Sequence, residues 1–318
     1  MRILFTSVGR RVTYLRQVRD AAQRLGIVPH FVGTDIDELA PALNEVDVAV
    51  LAPRSTADGY DDFLLEACAR HEIDLVVPLT DPDARLLADR RSGFEAAGLV
   101  VAAVSPSAAE VIDDKWRTVE YFAECGVSSP QSWLEVPNAE PSKQLLIKPR
   151  RGSAGQGIVP ITTGYDGVIP KGAFVQEVVR GSEVTIDAFC MPDGSCASVA
   201  MRERLEIRAG EVSKARTVFH EDVEEDVLRI VPGLGAIGPI TLQCFLTETG
   251  PQFIEINGRA GGGIPLSIHA GSRSDELLFQ LRNGGSTVYR PAVDIYMTRY
   301  DDQFFSQGKP TPFEVPLS

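Results

Sequence analysis

Several things are missing from this 318-residue sequence, and each absence narrows what the protein does. There is no excess of positive charge: 31 lysines and arginines against 44 aspartates and glutamates leave a net charge of −13. A broad basic surface for nucleic acid is therefore excluded, and no nucleic-acid partner is expected. No run reaches the ~18 consecutive apolar residues of a membrane span. The opening MRILFTSVGRR places its arginine pair after a short apolar run, the wrong order for a secretion signal, so it reads as a first strand. A cytoplasmic protein with no membrane partner is expected. The five cysteines (Cys68, Cys125, Cys190, Cys196, Cys244) form no CxxC pair and lie mostly in apolar patterns, as reduced buried thiols do. The four histidines show no HExxH or HxH spacing, so no zinc signature is present. The first loop has a single glycine, Gly9, where a dinucleotide fold would carry GxGxxG, and Asp35 is then a turn residue rather than a ribose ligand. Internal repeats and low-complexity tracts are absent as well.

What is present is an ordinary globular composition, 44% hydrophobic and 24% charged, with length for about two domains of ~100–200 residues. Residues 1–105 alternate strand-like runs (2–6, 29–34, 46–51, 74–79, 99–104) with helical patterns at 12–25, 60–70 and 83–96. That alternation predicts an open parallel sheet covered on both faces, with ligands at the strands' carboxyl ends. Residues 7–11, Asp35 and residues 80–83 fall there. Residues 106–290 read as a separate α+β unit with a glycine-loop lobe at about 115–175, helices starting near Ser107 and Asp113, and strand candidates at 240–246 and 252–257. Residues 291–318, with Pro291, Pro310, Pro312 and Pro316, read as an extended tail with one strand at 292–297.

Three segments carry chemistry. In LLIKPRRGSAGQGI (145–158) a strand delivers Lys148, and Gly152, Ser153, Gly155 and Gly157 form a loop whose backbone amides can approach phosphate oxygens. The lysine precedes the glycines and a strand follows, unlike GxxxxGK[ST]; a plain hairpin loop is the alternative. In ITLQCFLTETGPQFIEINGRAGGG (240–263) the strand alternation turns Glu255 and Asn257 to one face and Ile254 and Ile256 to the other, with Gln243 on the neighbouring strand. One carboxylate and two carboxamide oxygens suit Mg²⁺, with Mn²⁺ an alternative; an exposed polar face is the competing reading. Arg259 and three glycines follow at once, as a phosphoryl-transfer site requires. In FVQEVVRGSEVTID (174–187), Gln176, Glu177 and Val179 form an apolar strand on which adenine could rest, and Glu183 could reach ribose hydroxyls, or simply be exposed on a hairpin.

Lys115 in SPSAAEVIDDKWRT, then IKPRRGSAGQG, QEVVRGSE and Q…EINGR occur in an order that resembles the ATP-grasp superfamily. The pattern is most similar to the halves of the carbamoyl-phosphate synthetase large subunit and to small single-copy carboxylate–amine ligases. It covers the chain from residue 1 to about 285. The resemblance implies a Rossmann-like pre-ATP-grasp domain followed by a two-lobed ATP-grasp fold. It implies that Lys115 and Lys148 bind ATP, that residues 152–157 close over the phosphates, that residues 176–179 hold adenine and that Glu183 holds the ribose. Gln243, Glu255 and Asn257 match the metal ligands, and Arg259 the arginine on the γ-phosphate and acyl phosphate. Two departures stand out: Gln176 replaces a frequent acid, and EINGR replaces the common EINPR.

The implied reaction activates a carboxylate as an acyl phosphate and joins it to an amine, giving ADP and phosphate. Small-molecule acid and amine substrates are the expected partners, and the resemblance leaves room for a homodimer. A carboxylate kinase or a non-catalytic nucleotide-binding regulator are the rivals. A single unit disfavours carbamoyl-phosphate synthesis. Candidate substrate contacts are Arg10 with Arg11 for an anionic group, against a solvated pair before a helix. Asp81 and Asp83 could hold an amine, against a turn or helix cap. Lys214 and Arg216 could face the phosphates, against a charged strand face, and Gly262 follows Arg259.

Overall fold

The structure, a computed structural model, describes residues 1–137, 143–152, 156–208, 210–282, 288–305 and the backbone of 313–314. The N-terminal unit is built on β1 (Arg2–Thr6), β2 (His30–Asp35), β3 (Val48–Leu51), β4 (Leu75–Pro78) and β5 (Val100–Val101), all parallel, in the order β3-β2-β1-β4-β5. Ile3, Leu4 and Phe5 are all fully buried, as expected of a strand covered on both faces. Helix α1 (Val12–Arg24) buries Tyr14, Leu15, Val18, Ala21 and Ala22, the face set by three- and four-residue spacing. Asp35 accepts from Gly9 N at 2.7 Å and from Asp37 N at 3.0 Å, so it ties the first loop to the end of β2, the turn role expected of it.

Helix α2 (Tyr60–Arg70) follows the expected bounds. The single helix expected at 83–96 is two, α3 (Asp81–Asp89) and α4 (Arg91–Ala96), broken at Arg90. Leu87, Ala88 and Phe94 stay buried across the break, so the spacing hides it. Thr80 caps α3, accepting from Asp83 N at 3.5 Å and donating to Asp83 Oδ2 at 2.5 Å, while Tyr60 donates to Asp83 Oδ1 at 2.8 Å. Fully buried and engaged this way, Asp83 belongs to the cap and not to an amine site.

After α5 (Pro106–Asp113) and α6 (Lys115–Glu124) the chain enters two antiparallel sheets. The smaller holds β6 (Ser132–Trp133), β7 (Gln144–Pro149), β8 (Val159–Thr162) and β9 (Ala173–Glu177) in the order β6-β9-β7-β8. Its own core is slight: Leu145, Ile147, Ile161 and Val175. The larger contains β10 (Ser182–Cys190), β11 (Cys196–Arg208), β12 (Glu211–Val218), β13 (Gly238–Thr247) and β14 (Gly250–Asn257), with α7 (Glu221–Ile230) between β12 and β13. Phe189, Met191, Ala260, Ile264 and Leu278 share one apolar cluster with Ile3, Phe5, Leu15 and Val18, so the large sheet and the N-terminal unit are welded by a common core.

The expected strand at 292–297 is instead β15 (Tyr296–Thr298), paired antiparallel to β12. A further strand, β16 (Phe313–Glu314), pairs parallel to β3 and makes a sixth strand of the N-terminal sheet. The C-terminal segment thus joins both large sheets by backbone hydrogen bonds, which leave no side-chain periodicity to read. Among the described residues no helix is long and apolar enough to cross a membrane.

Candidate active site

Helix α6 begins at Lys115 because Asp114 caps it, accepting from Trp116 N at 3.0 Å and Arg117 N at 3.4 Å. The same carboxylate takes Arg150 Nε at 2.9 Å and Arg150 Nη2 at 2.5 Å, and Lys115 N donates to Arg150 O at 2.8 Å. The helix start is stitched to the end of β7, which brings Lys115 and Lys148 together. Lys115 Nζ donates to Gly152 O. Lys148 Nζ donates to Gln176 Oε1 at 2.7 Å, and Gln176 Nε2 donates to Ser132 Oγ at 3.0 Å. Gln176 is 3% exposed, so its amide steadies the lysine from within the sheet. A glutamine read from sequence as an adenine contact is here a lysine support, and only the pairing of β7 with β9 shows it. Gly157 has φ +74°, and a Cβ there would lie 2.9 Å from Pro149 Cγ, so the loop's last glycine cannot carry a side chain without strain. Ser153 and Gly155 lie outside the described residues.

Across the β13–β14 ladder Gln243 stands opposite Glu255, and Thr241 opposite Asn257. A bulge shifts the register beyond Gln243, so Cys244 pairs with Phe253 and Ile254 is the extra residue. Phe253 and Ile256 therefore share the buried face, and Ile254, expected there, is only half-buried. The parity that turns Gln243, Glu255 and Asn257 to one face holds because they all lie on the near side of the bulge. Glu255 makes no hydrogen bond or ion pair among the described residues. Burial pushes its pKa up and Asp81 adds to this, while Lys115, Lys148 and Arg259 oppose it. Burial and Lys115 push the Lys148 pKa down against the pull of Glu255. Lys115, Gly152, Glu255 and Asn257 line a cleft of ≈ 820 Å³ between α3, α5 and the end of β14.

Arg259 is gripped by Asp81 at the first turn of α3: Nη2 donates to Oδ2 at 2.7 Å, and Nε lies 2.6 Å from Oδ1. The Nε–H is not aimed at that oxygen and has no hydrogen-bond acceptor among the described residues, so this second contact is an ion contact alone. Asp81 is thus on the arginine, where an amine contact was one expectation. The backbone below is positioned by groups that carried no sequence signal. Thr241 Oγ1 donates to Arg259 O at 3.0 Å and lies 3.4 Å from Asp187 Oδ1. Asp187 takes Arg202 Nε at 2.7 Å, Arg202 Nη2 at 3.0 Å and Ser267 Oγ at 2.6 Å, all buried. A Cβ on Gly263 would sit 2.0 Å from Arg202 Nη1, so the glycine run after Arg259 is shaped by this ion pair beneath it.

The other expected residues divide. Glu177 is committed to Lys143 at 2.8 Å and to Gln131 N at 3.0 Å, and Val179 is half-buried on the strand's continuation. Glu183 pairs with Arg204. Lys214 pairs with Glu206 at 2.7 Å and Arg216 with Glu203 at 2.7 Å; neither lines the cleft, and both read as a charged strand face. Arg10 and Gly262 line a second cavity, of ≈ 560 Å³, on the other side of residues 260–262. Arg11, expected as a solvated residue, is half-buried in that cavity. All five cysteines are free thiols.

A parallel-sheet unit, a small antiparallel lobe with a glycine loop, and a large antiparallel sheet with an oxygen-donor face define the ATP-grasp architecture. Residues 112–263 match the ATP-grasp domain model and residues 3–102 the PylC-like N-terminal domain model. The chain carries an ATP-grasp domain preceded by a PylC-like N-terminal domain. Among curated proteins none matches it in sequence. In fold it is similar to the biotin carboxylase domain of 2-oxoglutarate carboxylase from Hydrogenobacter thermophilus, in complex with MgADP and bicarbonate, with a TM-score of 0.71 at 16% identity over 92% of this chain and 73% of that one. Biotin carboxylase from Campylobacter jejuni gives a TM-score of 0.68 at 14% identity, covering 90% of this chain and 71% of that one. The N5-carboxyaminoimidazole synthetase of Staphylococcus aureus gives 0.68 at 16% identity, covering 92% and 79%.

Proposed function

We propose that the protein is an ATP-dependent ligase that activates a carboxylate as an acyl phosphate and joins it to an amine. The observation that carries this reading is the grouping of Lys115 on α6, Lys148 on β7 and Arg259 just past β14 close enough to Glu255 for each to act on its carboxyl, beside the cleft that Lys115 and Glu255 line. Lys115, Lys148 and residues 152–157 hold the triphosphate, and the backbone of residues 176–179, with Glu183 once it exchanges Arg204 for a ribose hydroxyl, takes the adenosine. A half-buried carboxylate with no partner among the described residues, flanked by two carboxamide side chains, fits a hard divalent cation. Mg²⁺ on Gln243, Glu255 and Asn257 would neutralise charge on the phosphate oxygens, and Mn²⁺ would suit the same donors.

The substrate carboxylate then attacks the γ-phosphorus in line. Its oxygen bonds to phosphorus as the bond to the β-phosphate oxygen breaks and ADP leaves. Arg259 offsets the growing charge once it exchanges Asp81 for the phosphoryl group. An amine attacks the carbonyl carbon, phosphate departs and the nitrogen loses a proton, giving the amide. The small lobe, with its slight core, is suited to closing over the cleft and keeping water from the acyl phosphate. Purified protein supplied with MgATP should release ADP only when both a cognate acid and an amine are present, with the amide seen by mass. ADP release indifferent to the amine would mark a carboxylate kinase. Failure to bind a non-hydrolysable ATP analogue at millimolar concentration would remove the ligase reading.

A further inference from the structure

The ≈ 560 Å³ cavity is bounded by the start of α1, the glycine run after Arg259 and the segment from Tyr296 to Phe304. Arg10, Arg11 and Arg299 all line it. Arg299 is already satisfied, by Glu211 at 2.5 Å and by Gly262 O. Arg11 is not: its one hydrogen bond among the described residues is a long one, Nη2 to Leu79 O at 3.4 Å, and it has no carboxylate partner. Arg10 is exposed and has neither among the described residues. A Cβ built on Gly262 would lie 2.9 Å from Arg11 Nη1 and 3.9 Å from Arg299 Nη2, so both guanidinium groups crowd one point over that glycine. Burial pushes the Arg11 pKa down, and the nearby Arg259 and Arg299 cations push it further, against Glu211.

Two more features face the same way. Arg11 is the N-cap residue of the 13-residue α1, which has no side-chain cap and no acid in its first turn, so its first amides are open. Tyr14, one turn on, lines the cavity; it is 2% exposed, and its hydroxyl has no partner among the described residues. Unpaired cation, open helix start and orphaned hydroxyl all lack the same thing, an anion with acceptor oxygens. This cavity shares no lining residue with the cleft of Lys115 and Glu255, so a group on Arg11 is separate from the one being phosphorylated.

Resting on the ligase reading, we propose that this cavity binds the acid substrate by a second anionic group, a carboxylate or a phosphate, held by Arg11 with Arg10 and the start of α1. The substrate is then an acid with two anionic ends: one reaches Arg259 and the γ-phosphate, and the other anchors beyond Gly262.

Succinate, 3-phosphonopropionate and propionate distinguish the possibilities by isothermal titration in Mg²⁺ buffer, with and without a non-hydrolysable ATP analogue. Both dianions should bind roughly tenfold tighter than propionate, as a charge-assisted contact to a guanidinium implies. The tighter of the two identifies the second group. Arg11→Gln should erase the preference while leaving the affinity for the ATP analogue within about twofold. Lys148→Ala should do the reverse. Gly262→Ala, which pushes a methyl against Arg11, gives a second variant should Arg11→Gln fail to fold. Equal binding of all three acids to the wild type, or a dianion preference that survives both variants, overturns the proposal. A preference that needs Arg11 in a protein indifferent to the ATP analogue supports the anion site and removes the ligase reading alone.

Discussion

Lys148 and Glu255 bring opposite charges close together, and burial works against both. The Lys148 pKa is pushed down and the Glu255 pKa up, each towards its neutral form. Phosphate on the lysine and a cation on the carboxylate would restore both charges, so ligands and site are thermodynamically coupled. The sign for the ligand-free protein follows. A carboxyl raised in the folded state contributes stability that is present below its unfolded pKa and lost as pH rises through the folded value. Metal binding runs the other way, since it needs the ionised carboxylate. Mn²⁺ affinity of the nucleotide-bound protein should start to fall, on acidification, above the usual carboxylate value of ~4.3, and isothermal titration across acidic pH measures it. Glu255→Gln should flatten that profile and abolish phosphate release, with nucleotide affinity largely kept through the lysines. Arg259→Lys should lose rate while holding metal, because a single ammonium cannot replace the planar fork. Wild-type phosphate release by Glu255→Gln would place the metal site elsewhere.

At the scale of elements, the junction of α6 with β7 decides where the two lysines stand. Asp114 serves the helix cap and the Arg150 ion pair at once. Burial alone would push its pKa up, but the Arg150 guanidinium and the amides of Arg117 and Trp116 hold it below the usual range. A depressed carboxyl contributes stability present above its unfolded pKa of ~3.9 and lost as pH falls through the folded value. Asp114→Asn keeps a good cap and loses the charge; Asp114→Ala loses both, the cap alone being worth about 1 kcal/mol. The melting temperature should fall in the order wild type, Asn, Ala, with affinity for the ATP analogue falling in step as Lys115 loses its anchor. The wild type should also lose stability more steeply in acid than Asp114→Asn does. Equal melting curves for all three proteins, by circular dichroism, would mean that the junction is held by other contacts.

At the scale of the molecule, the C-terminal segment is a strap. It pairs with β12 in the large sheet and with β3 in the N-terminal sheet, and between them it walls the anion cavity. Phe304 stacks on Arg16, 5.6 Å from guanidinium to ring centre, with Arg16 also held by Glu45 at 2.8 Å. Ending the chain after Asp294 removes both strands and that wall but touches neither lysine nor the β13–β14 face. The shortened protein should melt lower and still bind the ATP analogue, while acid-dependent phosphate release falls by an order of magnitude or more. Unchanged acid-dependent turnover would show that the strap has no part in the acid site.

The sequence by itself determined the parallel-sheet unit and the order of the motifs, and it singled out four charged residues that the fold groups together. Strand and helix periodicities are local, and Lys115, Lys148, Glu255 and Arg259 each sit at a boundary that a few neighbouring residues specify. Partnership was decided by tertiary structure alone. Gln176 reached Lys148 through the β7–β9 pairing, Arg259 was taken by Asp81 from 178 residues away, and Arg202 with Asp187 shaped the glycine run from beneath. The bulge at Ile254 and the strap of β15 and β16 depend on hydrogen bonds to distant strands. Charge pairing and edge pairing depend on distance in space, and no spacing along the chain encodes that distance until the chain has folded.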